Sequence, residues 1–134
     1  MSYISAVGYA TWFFRHDGTA VGTSWISTSD SRLKDDKKEI TGAISKILSL
    51  TGMTYVIQST RRAGLIAQDV EVVLPEAVVN AGTATAIDGT TIEDSLALDY
   101  NGVVALLVNA VKEQQEIIYS LSVRVSALEN VKSS

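Results

Sequence analysis

Ser29 and Lys34 stand five residues apart in the stretch "STSDSRLKDD", Ser27 to Asp36. A serine hydroxyl is a weak nucleophile until a base takes its proton, and a lysine amine can be that base once it is neutral. Partial burial or nearby positive charge drives the proton off a lysine. Arg32 offers such charge, whereas Asp30, Asp35 and Asp36 pull the other way. That tension suggests a latent pair, completed only when folding or assembly desolvates Lys34. The same residues also read as a solvated turn, with Ser29 and Lys34 as turn and helix-cap residues.

No other constellation competes. The single histidine, His16, lies beside a turn without a sequence-visible partner, so it reads as a surface or turn residue. Zero cysteines exclude disulfides, thiol chemistry and thiolate metal sites. With no His or Cys cluster and no phosphate-loop spacing of the glycines, neither a metal nor a cofactor is expected. The formal net charge of −4, with eleven Lys and Arg scattered among fifteen acids, argues against nucleic acid as a partner. No apolar run approaches the roughly 20 residues that span a bilayer. The opening "MSYISAVGYA" lacks the positive n-region of a secretion signal.

The elements that must position the pair fall into three zones of a 134-residue chain, the size of one domain. Residues 3 to 26 are rich in aromatic and β-branched types and broken by "HDG" at His16 to Gly18, which predicts two strands joined by an Asp-Gly turn. The middle zone opens with a predicted helix from about Asp36 to Leu50, carried by Ile40, Ala43, Ile44, Ile47 and Leu48. Strands are expected at Met53 to Gln58 and Gly64 to Ile66, then a short helix at Ala67 to Val73 stopped by Pro75. Leu65, Ile66 and Val70 are core candidates there. The Gly- and Thr-rich stretch from Asn80 to Thr91 reads as a loop, and "LALDY", Leu96 to Tyr100, as a last short strand. The fold class is α+β.

The third zone carries the strongest periodicity. Between Val103 and Val131 there is no Gly or Pro, and apolar residues follow a heptad: Val104, Val111, Ile118 and Val125 in one row, Leu107, Leu121 and Leu128 in the other, with Gln114 interrupting the second. A helix of about 28 residues would reach about 40 Å, too long to lie wholly against so small a body. Its carboxy-terminal half is expected to pack on copies of itself. β-branched residues in one row with leucine in the other favour a two-stranded parallel coil, and a buried Gln114 would fix its register.

Three segments together carry a resemblance: "SDSRLK" at Ser29 to Lys34, "AGLIAQDVEVVLPEAV" at Ala63 to Val78, and "LDYNGVVALLVNAVKEQQEII" at Leu98 to Ile118. In order and spacing they resemble the peptidase S74 family, the C-terminal intramolecular chaperone domains of bacteriophage tail spikes and tail fibres. The resemblance implies a small strand and helix body followed by a long coiled-coil helix at 103–131. It implies residues 1–28 as the end of a β-rich fibre and residues 29–134 as the chaperone. It further implies a homotrimer through Val104, Leu107, Val111, Gln114, Ile118, Leu121, Val125 and Leu128, whose partner is the upstream fibre of the same polypeptide. Ser29 would be the nucleophile and Lys34 its base, cutting at Thr28-Ser29 or, alternatively, at Ser29-Asp30. The expected setting is a virion tail-fibre precursor, assembled in the host cytoplasm, from which the chaperone is released. A trimerisation or receptor-binding fibre tip that does not cleave is the alternative.

Overall fold

The structure, a computed structural model, describes residues 13–15 and 18–133. It divides into two compact units, Met1–Lys38 and Glu39–Ser134. In the first, β1 (Phe13–Phe14) and β2 (Ala20–Val21) pair antiparallel, Phe13 with Val21 and Phe14 with Ala20. The expected turn sits between them: Arg15 N–H donates to Thr19 O, and Gly18 takes a positive φ of 76° that suits glycine. His16 and Asp17 lie outside the described residues, as does the part of the first predicted strand that precedes Phe13.

The second unit follows the order α1 (Ala43–Leu48), β3 (Met53–Ile57), β4 (Thr60–Gly64), α2 (Ala67–Val73), a 3-10 turn at Pro75–Ala77, β5 (Val78–Thr85), β6 (Thr91–Leu98) and α3 (Tyr100–Lys132). Its strands form two antiparallel hairpins, β3 with β4 and β5 with β6. Gln58 and Ser59, which join β3 to β4, both have positive φ, as a two-residue hairpin connection requires. The core is small: Ala43, Val70, Leu74, Ala77, Val103, Leu106 and Ala110 are buried, with Ile40, Ile44, Ile47, Leu65 and Leu98 packed around them.

Where the elements depart from the sequence reading, the reasons are local. The helix expected from Asp36 begins only at Ala43, because Asp36 and Gly42 both take left-handed backbone, which interrupts a helix. The strand expected at Gly64 to Ile66 is instead Thr60–Gly64, since the tight turn at Gln58 returns the chain at once. The stretch from Asn80 to Thr91, read as a loop, lies mostly in an eight-residue hairpin pair. Its turn is built on Asp88 and Gly89: Thr90 N–H donates to Asp88 Oδ1 at 2.9 Å, and Gly89 takes φ 86°. The long helix starts at Tyr100 rather than Val103, capped by Asp99, whose Oδ1 accepts from Asn101 N–H at 3.0 Å. Gly102 lies in its first turn, where a Cβ would fall 2.7 Å from Ala77 Cβ. A glycine is required at that approach.

Candidate catalytic pair and assembly face

Ser29 lies in chain without regular structure just before a single 3-10 turn, Ser31–Leu33. Asp30 starts the turn, its Oδ1 accepting from Arg32 N–H at 2.8 Å. Within the same turn the Arg32 guanidinium lies along the Asp30 carboxylate, Nε donating at 3.1 and 3.2 Å and a terminal nitrogen at 2.7 Å. Lys34 N–H closes the turn on Ser31 O at 3.3 Å. The reversal brings two side chains five residues apart together, and Lys34 Nζ donates to Ser29 Oγ at 2.8 Å. Beside them Lys37 Nζ donates to Ser31 O and Oγ, both at 3.2 Å.

The electrostatics of the turn follow from these pairings. The Arg32 side-chain hydrogen bonds hold the Asp30 carboxyl below its ordinary value, and Asp30 in turn raises Arg32. Arg32 and Asp30, expected to act on Lys34 in opposite senses, are engaged with each other. Ser29 and Lys34 are exposed. The contact that proton transfer would use is present in an exposed setting. Thr28, Ser29 and Asp30, the residues of the two candidate scissile bonds, all precede the turn in chain without regular structure.

On α3 two faces separate. Val103, Leu106 and Ala110 are buried in the body. The apolar heptad residues Val104, Leu107, Val111, Ile118, Leu121, Val125 and Leu128 are 44 to 65% exposed, and Gln114 among them is exposed too. From Gln114 to Lys132 every residue is exposed. Among the described residues, no element covers the apolar seam read from the sequence. Sequence reasoning also missed two polar residues on this helix. Asn109 Nδ2 donates to Ile40 O at 2.9 Å, and the Glu113 carboxylate accepts from the Ala43 and Ile44 amides at 2.8 and 2.9 Å. An Asn and a Glu four apart beside a buried apolar row were the available signal.

Comparison with known proteins bears on the same residues. The family model Peptidase_S74, described as chaperone of endosialidase, matches residues 29–79. The long tail fiber protein Gp37 of Enterobacteria phage Ox2 is 37% identical over 129 residues, which cover 84% of this chain and 48% of that protein. Gp37 of Enterobacteria phage M1 is 36% identical over the same coverage. Gp37 of Salmonella phage S16 is 32% identical over 114 residues, 78% of this chain and 14% of that protein. The chain spans about half the length of the first two relatives. Residues 29–79, which hold both Ser29 and Lys34, match the Peptidase_S74 family model, and most of the chain is similar to phage long tail fibre proteins.

Proposed function

We propose that this chain is the C-terminal chaperone of a phage tail fibre, that it assembles as a trimer through α3, and that it releases itself by one self-cleavage at Ser29. Residues 1–28 are then the end of the fibre and residues 29–134 the chaperone. The observation that carries the reading is the 2.8 Å contact between Lys34 Nζ and Ser29 Oγ inside the segment that matches the family. The exposed heptad seam supports the assembly part, since apolar residues in so regular a row are covered by something in the working molecule.

In the favoured route Lys34 loses a proton on desolvation and takes the Ser29 hydroxyl proton as Oγ attacks the Thr28 carbonyl carbon. The Oγ–C bond forms and the Thr28-Ser29 C–N bond breaks, with Lys34 returning the proton to the departing Ser29 amine. Water then hydrolyses the ester, leaving a carboxylate on Thr28 and restoring the Ser29 hydroxyl. Cleavage at Ser29-Asp30 is the alternative bond.

Mass spectrometry of freshly expressed wild-type protein, Ser29→Ala, Lys34→Ala and Lys34→Arg tests the reading. Two fragments are expected from the wild type and one intact chain from each variant, the arginine included, because it keeps length and charge but does not deprotonate. Cutting that persists in Ser29→Ala removes the nucleophile, and cutting that persists in Lys34→Arg removes the base. An intact wild-type trimer would favour a fibre tip that does not cleave.

A further inference from the structure

Helix α1 has too few residues to stand alone. Isolated helices shorter than about 12 residues are marginal in water, and α1 runs only from Ala43 to Leu48. Its N-cap is Gly42, at φ 63°, with no side chain to accept from the first amides. Those orphan donors would otherwise turn to water. Here Glu113 of α3 accepts from two of them, Ala43 N–H and Ile44 N–H, across a sequence separation of about seventy residues. One turn earlier on the same helix Asn109 holds the Ile40 carbonyl. Ala43 is fully buried beneath this contact, and Ile40, Ile44 and Ile47 pack on the core.

We infer that Asn109 and Glu113 form a latch through which the long helix orders residues 40–48, the segment following the Ser29–Lys34 motif, and that they are positioning residues for its self-cleavage. The second part rests on the function proposed above. The latch occupies a particular place on α3. Val111 and Gln114, both on the heptad seam, lie within one turn of Glu113, and from Gln114 to Lys132 every residue of the helix is exposed. Packing of the seam fixes that turn of α3. The fixed turn aims the carboxylate and the amide, and these fix the chain that begins six residues after Lys34. Assembly is thereby linked to order near the cleavage segment through three hydrogen bonds.

Hydrogen–deuterium exchange over residues 39–50, light scattering and the time course of cleavage are measured together on the full chain, with Glu113→Gln, Asn109→Ala and Glu116→Gln. Glutamine at 113 keeps one acceptor and turns an NH2 toward an amide donor. It is expected to speed exchange over 39–50 about tenfold and to slow cleavage by a similar factor while the oligomer persists. Asn109→Ala leaves both amides capped, so a smaller change of the same sign is expected even where Glu113→Gln folds poorly. Glu116→Gln, on the same helix, leaves all three readouts at the wild-type level. Unchanged exchange over 39–50 in both latch variants overturns the latch. Faster exchange with wild-type cleavage overturns the positioning role. A wild type that remains whole refutes the self-cleavage reading instead, and the exchange rates still decide the latch.

Discussion

Glu113 shows how one residue can be silent in a sequence and central in a structure. The hydrogen bonds from the Ile44 amide, and then the Ala43 amide, hold its carboxyl below the ordinary value, with a smaller contribution from Lys46. A lowered folded-state pKa means that the stabilisation is complete above the unfolded value, near 4.5, and is lost as pH falls through the folded value. The urea midpoint of wild type should therefore exceed that of Glu113→Gln at neutral pH, and the gap should close on acidification below about pH 4.5. A gap that widens toward low pH would contradict the cap. The contact of Lys34 with Ser29 was legible because it is local, five residues along one turn. Glu113 was not, because its partners are set by tertiary packing. The pairing of Arg32 with Asp30 was half legible: the charges were visible, but which of them would meet was decided by the backbone of the 3-10 turn.

Among the elements, α2 matched its expected bounds, since Pro75 marks its end and Val70 its buried face. The heptad predicted α3, and the capping aspartate extended it by one turn through a glycine that composition alone counts against a helix. The β5–β6 hairpin escaped because its Gly, Thr and Ala residues imitate a loop and its pairing shifts register around Gly82. The Asp88-Gly89 pair was the missed signal, of the same kind as the "HDG" that was read as a turn. Gly102 supplies the test at this scale. Alanine is the better helix former by about 1 kcal/mol, but its Cβ would stand 2.7 Å from Ala77 Cβ and 3.2 Å from Ala77 Cα, and backbone gives little. Overpacking typically costs about 1 to 3 kcal/mol, so Gly102→Ala should lower stability by on the order of 1 kcal/mol net. Thermal unfolding of the two proteins measures it, and an unchanged or raised Tm would show that the α3 to Ala77 contact can open without cost.

At the scale of the whole molecule, the second unit is two hairpins, two short helices and the long α3, with seven buried apolar residues as its core. A helix of 33 residues, about 50 Å long, carries more apolar surface than that body covers. Leu121 and Leu128 are 49 and 65% exposed, so within one chain they contribute little to its fold. Replacing both by asparagine is therefore expected to leave the body folded and to remove the assembly. Burying a leucine is worth roughly 1.5 to 3 kcal/mol, and two in each of several chains set the difference between an oligomer and free chains at micromolar concentration. Multi-angle light scattering should give three chains for the wild type and one for the double variant, with helical circular dichroism reduced as the unsupported end of α3 frays. A wild-type dimer would mean that the β-branched and leucine rows alone set the strand number. A double variant that remains fully assembled would place the assembly face elsewhere. If assembly is what withdraws Lys34 from water, the same substitutions, far from Ser29 in sequence, should also abolish the cut.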